Sequence, residues 1–239
     1  MAELLLEGVV AGYGRGDVLR GVELTVPQDR VTCVIGPNGA GKSTVLKTIS
    51  GLLRPREGRI LLDKEQLHGL SCRQVLARGV VQVPQERSLF PLMTVWENLV
   101  MGAYLVRDRG EVNRRAEAVA AEFPLLRERA GDRAGALSGG QQKLAEIARS
   151  LMAEPRVILL DEPSMGLDPR ARHLVFQAIA EMNRTGRTIL LVEQNARAAL
   201  EISDHGVVMD GGRVALAGPA AGLADDPRVA GLYLGGVPG

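Results

Sequence analysis

Cysteine, histidine and long apolar runs are what this chain has least of, and each shortage excludes a class of protein. There are two cysteines and three histidines in 239 residues. Cys33 falls in an apolar strand pattern and Cys72 at a helix start, so neither suggests a disulfide framework or a metal-binding cluster. His68, His173 and His205 are scattered without ligand spacing and read as surface or structural residues. No apolar run approaches the roughly 18 to 20 residues needed to span a bilayer. The N-terminus lacks the basic stretch and apolar core of a secretory signal, so the expectation is a cytosolic chain. A formal net charge of +1 makes no electrostatic case for nucleic acid or for an acidic membrane surface. Any such partner has to be argued from motifs.

What is present is the balance of a folded protein, 46 % apolar and 24 % charged, without internal repeats or low-complexity tracts. The length suits one substantial core carrying a small subdomain. Residues 4–10 and 22–26 read as short strands around the turn-rich segment Gly12 to Asp17, an N-terminal antiparallel element. Arg30 to Ile35 is a nearly continuous apolar run ending in glycine, as expected of a strand buried on both faces. A helix follows from near Gly41. Val80 to Val83 is another strand, and Thr94 to Glu97 reads as a capping box opening a helix through about Val106.

Charged amphipathic helices are expected at Glu111 to Ala121 and Ser138 to Ala153. Strands resume at Val157 to Leu160, Thr188 to Val192 and Gly206 to Met209, separated by helices at about 169–184 and 196–203. The stretch from Val214 onward is rich in glycine and alanine, with one short helical pattern. Alternation of this kind predicts an α/β fold with a parallel-sheet core. The single domain 1–239 then divides into a core, 1–86 with 156–239, and an inserted helical subdomain, 87–155.

Three motifs carry chemistry. Gly36, Pro37, Asn38, Gly39, Ala40, Gly41, Lys42 and Ser43 match the phosphate loop, after a buried strand and before a helix. Glycines let successive backbone N–H groups turn toward phosphates, and the helix N-terminus adds its positive dipole end. Lys42 is placed to reach the β- and γ-phosphates of a nucleotide, and the Ser43 hydroxyl to hold Mg2+. Asp161 and Glu162 end a buried strand, where Asp161 suits Mg2+ and Glu162 suits the base that polarises the attacking water. In the third motif, Leu137 to Gln141, helix capping explains Ser138 and Gln141. It does not explain Gly139 and Gly140, each of which costs on the order of 1 kcal/mol relative to alanine inside a helix. An anion arriving at the helix N-terminus would explain both.

Taken together, Gly36 to Thr44, Leu137 to Gln141 and Asp161–Glu162 resemble the nucleotide-binding subunit of ATP-binding-cassette transporters, over nearly the whole chain. The resemblance implies the P-loop NTPase fold, Mg2+-dependent ATP hydrolysis, and two subunits paired head to tail. ATP then lies between the phosphate loop of one subunit and Ser138, Gly139, Gly140 and Gln141 of the other. It also implies that Tyr13 stacks on adenine, that Gln85 senses Mg2+ and the attacking water, and that Asp168 crosses the dimer interface. Asp168 precedes Pro169 and is equally a good N-cap. Two transmembrane permease subunits, a second identical or homologous ATPase subunit and, indirectly, an extracytoplasmic substrate-binding protein follow as partners. The chain would sit peripherally on the inner face of the cell membrane.

One position departs from the family pattern. Most members carry histidine where this chain has Gln194, which can donate to a γ-phosphate but cannot carry a proton, leaving Glu162 as the base. Val192 to Ala196, Asp161 to Leu167 and the ending Tyr233 to Gly236 resemble the branched-chain and hydrophobic amino-acid importer branch, in particular its smaller ATPase subunit. Importers of urea and short amides share much of the pattern. A soluble cassette ATPase acting on DNA or ribosomes is a further alternative, but the chain has no coiled-coil insertion, zinc module or tandem cassette. Arg114, Arg115, Arg127 and Arg129 read as solvated charges, and Trp96 as a packing residue of the helical subdomain.

Overall fold

The first third of the chain weaves between two sheets. In the computed structural model, residues 3–234 are described; the terminal motif Tyr233 to Gly236 runs past them. Strands β1 (Leu4–Ala11) and β2 (Leu19–Val26) pair antiparallel. In β2, buried Val22, Leu24 and Val26 alternate with exposed Glu23 and Thr25, the pattern of a strand with one wet face. The chain then enters the second sheet as β3 (Val31–Ile35), runs through the phosphate loop into α1 (Lys42–Ile49), and returns to the first sheet as β4 (Glu57–Leu62) and β5 (Glu65–Gln66).

After α2 (Cys72–Ala77) and β6 (Val80–Val83), helices α3 (Val95–Met101), α4 (Arg109–Glu122), α5 (Leu125–Glu128) and α6 (Gly139–Leu151) follow without an intervening strand. Strand β7 (Val157–Asp161), α7 (Pro169–Arg184), β8 (Thr188–Val192), α8 (Ala196–Glu201), β9 (His205–Asp210), β10 (Arg213–Pro219), α9 (Ala220–Ala224) and α10 (Pro227–Leu234) complete the chain. The second sheet runs in the order β10-β9-β3-β8-β7-β6. Its strands are parallel except β10, which is antiparallel to β9.

Every residue of β3, β7 and β8 is buried, as their unbroken apolar runs require. Because side chains alternate along a strand, each strand feeds two cores. Val31, Cys33 and Ile35 join Ile158, Leu160, Ile189 and Leu191 against the helices of the middle stretch and α7. Val34, Leu159, Leu190 and Val192 join Val45, Leu46 and Ile49 of α1 and the inner face of the first sheet. Trp96 is half-buried and packs on the first of these cores.

Several elements differ from the sequence expectation. Helix α3 stops at Met101 rather than near Val106, and the Gly102 that follows packs tightly on α6: a Cβ there would stand 2.1 Å from Arg149 O. The chain continues as tight turns, with Ala103 N donating to Val100 O and Val106 N to Ala103 O. β4, β5 and β10 were not expected, whereas α2 begins at Cys72 as expected, and with β4 and β5 the N-terminal antiparallel element becomes a four-stranded sheet.

Candidate active site

Strand order, not chain order, assembles the site. β3, β8, β7 and β6 lie side by side, with Val34 opposite Val192, Val192 opposite Asp161, and Leu160 opposite Val83. Their carboxyl ends therefore deliver four segments to one edge: the loop from Gly36, the pair Glu193–Gln194, the pair Asp161–Glu162, and Pro84–Gln85. In open parallel sheets this is the edge where ligands bind.

The loop after β3 is closed down by glycine. Gly36 has φ 148° and a Cβ there would lie 2.2 Å from Met209 O; Gly41 has φ 101° and would meet Leu19 Cδ2 at 2.9 Å. No other residue fits either place. The loop folds round the buried Lys42 ammonium, which donates to Gly36 O at 2.9 Å and Pro37 O at 3.1 Å. Burial lowers the proton affinity of Lys42, opposed by the nearby carboxylates of Glu162, Asp161 and Glu193.

Ser43 Oγ, on the first turn of α1, donates to Asp161 Oδ1 at 2.8 Å. These are hard oxygen donors from two elements, the ligand type that Mg2+ takes together with phosphate oxygens and water. Among the described residues no cluster of three or more His, Cys, Asp or Glu side chains could hold a metal by itself.

Glu162 Oε2 accepts from Gln85 Nε2 at 3.1 Å, and the same nitrogen lies 2.9 Å from Met165 Sδ. Glu162 has φ 45°, a left-handed conformation costing on the order of 1–3 kcal/mol outside glycine. Its N–H donates to Val192 O at 2.9 Å, which locks the turn at the end of β7. Burial raises the proton affinity of both Asp161 and Glu162. Lys42, Ser43, Thr44, Gln85, Glu162 and Gln194 together line a cleft of about 330 Å³.

Other expected site residues stand apart. Tyr13 is half-exposed in its turn, and Val18 rather than Tyr13 lines the cleft. Asp168 caps α7, accepting from Arg170 N at 2.9 Å and Ala171 N at 3.0 Å. Ser138 caps α6, with Ser138 N donating to Gln141 Oε1 at 3.0 Å, so the local capping box forms. The two glycines behind it separate. A Cβ on Gly140 would meet Ala171 Cβ at 2.7 Å, whereas one on Gly139 would meet Leu167 Cδ2 at an ordinary 3.5 Å. Packing on α7 within the chain therefore gives Gly140 a reason of its own, besides the anion expected at this helix start. Ser138 to Gln141 do not line the cleft that holds Lys42.

Glu193 was missed. Its buried carboxylate accepts from Ser164 N at 2.9 Å and Gln194 N at 3.2 Å, tying the segment after Glu162 to the end of β8. Burial raises its proton affinity as well. An acid closing an unbroken apolar strand is the signal that singled out Asp161, and it would have found Glu193.

Comparison with known proteins gives the family. The family described as ABC transporter matches residues 19–165. The chain is 38 % identical to the high-affinity branched-chain amino acid transport ATP-binding protein BraG of Pseudomonas aeruginosa, over 98 % of this chain and 100 % of that one. It is 37 % identical to a probable branched-chain amino acid transport ATP-binding protein, LivF, of Archaeoglobus fulgidus, over 94 % and 95 %. A solved dimeric ATP-binding cassette in a post-hydrolysis state, bound to ADP and Pi, superposes with a TM-score of 0.79 at 27 % identity, covering 91 % of this chain and 98 % of that one. The chain belongs to the ABC transporter family, as one of its ATP-hydrolysing cassettes.

Proposed function

We propose that this chain is the ATPase subunit of an importer for branched-chain or other hydrophobic amino acids. The observation that carries its chemistry is the convergence of Lys42, Ser43, Asp161, Gln85, Glu162 and Gln194 on one edge of the sheet. The cargo class rests on BraG and LivF, whose alignments run nearly end to end. Lys42 and the N–H groups of residues 36–43 hold the phosphates. Ser43 and Asp161 would hold Mg2+, which would supply positive charge against the phosphates. Glu162 takes the proton of the attacking water, Gln85 orients that water, and Gln194 donates its amide to the γ-phosphate. Tyr13 stacks on the adenine.

Two cassettes, identical or homologous, pair head to tail. Ser138, Gly140 and Gln141 then meet the γ-phosphate held by the partner, with Gly139 beside them, and Asp168 crosses the interface. Their standing outside the Lys42 cleft supports this reading. The helical stretch 87–155 acts as a subdomain that moves against the core. Two transmembrane permease subunits dock at the groove between them, where Phe90 and Met101 are about half exposed and Tyr104 more so, and a binding protein outside the cell delivers cargo. The cassette is then peripheral on the inner face of the membrane; among the described residues no helix is long and apolar enough to cross it.

Glu162→Gln tests the site. The variant is expected to lose roughly 10²- to 10⁴-fold in turnover, the range for removing a general base, and to elute as an ATP-dependent dimer in size-exclusion chromatography. Turnover at the wild-type rate would overturn the assignment. Uptake of labelled leucine into vesicles carrying the permeases and this ATPase tests the cargo; uptake of urea in its place would redirect it.

A further inference from the structure

Helix α6 carries three charged residues, Lys143, Glu146 and Arg149, at intervals of three on one face. All three turn onto the loop that follows β6. Lys143 Nζ lies 2.6 Å from Glu146 Oε2 as an ion pair and donates to Pro84 O at 3.3 Å and to Gln85 O at 3.5 Å. Glu146 Oε1 accepts from Ser88 N at 2.6 Å. Arg149 donates from Nη1 to Ser88 O at 2.9 Å and from Nη2 to Ser88 Oγ at 2.6 Å, and its guanidinium stands 6.0 Å from the centre of the Phe90 ring. Lys143 is 7 % exposed and Glu146 2 %.

A buried ion pair is a poor way to gain stability, since apolar residues of similar volume do as well or better. What it does supply is geometry. The three residues fix the loop from Pro84 to Phe90 against a rigid helix, and that loop carries Gln85, whose amide donates to Glu162. The first turn of the same helix is Gly139 to Gln141.

We infer that Lys143, Glu146 and Arg149 are positioning residues that join the start of α6 to Gln85, so that contact of one subunit's α6 with its partner's nucleotide sets the catalytic geometry in its own cleft. The inference rests on the roles given above to Gln85 and to Ser138–Gln141. Through Phe90 the same clamp reaches the mouth of the apolar groove.

The test is a double-mutant cycle on ATP turnover in the assembled dimer. Lys143→Met is expected to lower kcat about tenfold while the half-saturating ATP concentration stays within about twofold, the signature of a lost transition-state contact. Lys143→Arg should restore most of the rate. Combined with Gln85→Ala, Lys143→Met should add little further loss, because both act through one group. Arg149→Gln, at a half-buried site, repeats the measurement should Lys143→Met not fold, with a smaller loss and the same lack of additivity. A folded clamp variant with wild-type kcat, or losses that multiply with that of Gln85→Ala, would overturn the clamp. Wild-type turnover in Gln85→Ala alone would instead sink the site assignment, and the purpose of the clamp with it.

Discussion

At the scale of single residues, the site is a set of carboxylates held where water is scarce. Asp161, Glu162 and Glu193 all bind protons more tightly than carboxylates in water, in each case first because of burial. A base must be ionised to act, so turnover should climb as pH rises through the elevated value of Glu162 and flatten in Glu162→Gln. The same shift has a sign for stability. Between the ordinary carboxylate range and the raised folded values, the folded chain holds more protons than the unfolded one, so these groups make stability fall as pH rises. Glu162→Gln removes one share of that fall. Urea unfolding at a series of pH values should give a shallower decline for the variant than for the wild type, and an equal or steeper decline would contradict the burial account.

At the scale of elements, α6 shows how capping, packing and chemistry compete for the same positions. Gly139 has room for a methyl group and Gly140 does not. Gly139→Ala should therefore raise stability, by up to about 1 kcal/mol from helix propensity, yet lower turnover if a phosphate comes to this helix start. Gly140→Ala gains the same propensity but forces a rigid contact with Ala171, and overpacking of this kind costs about 1–3 kcal/mol. Thermal melts and ATPase assays on the two variants separate them; a Gly139→Ala protein that is both more stable and fully active would leave that glycine without a function.

The elements also show where a single sequence is readable. The phosphate loop, Asp161–Glu162 and the capping boxes at Thr94 and Ser138 were legible because their signals are local. β4 and β5 were not, since they join through Asp63 and Lys64, both at positive φ, where a hairpin signal would be asparagine or glycine. β10 had its signal in the Gly211–Gly212 pair and could have been read. Lys143, Glu146 and Arg149 could not, because their partners lie about sixty residues away on a loop that no pattern brings near.

At the scale of the whole molecule, the six-stranded sheet separates two cores, and alternate residues of β3 belong to each. β3 is flanked by β9 on one side and β8 on the other, with all five side chains buried. Such a strand has no edge, no wet face and no end free to fray. In heavy water, its amide hydrogens should be the last in the chain to be replaced by deuterium, waiting for the whole molecule to open. Mass spectrometry of exchanged peptides would show this, and early labelling of Thr32 to Ile35 would contradict it. The loop proposed to hold the phosphates would thus hang directly from the slowest-exchanging segment of the chain.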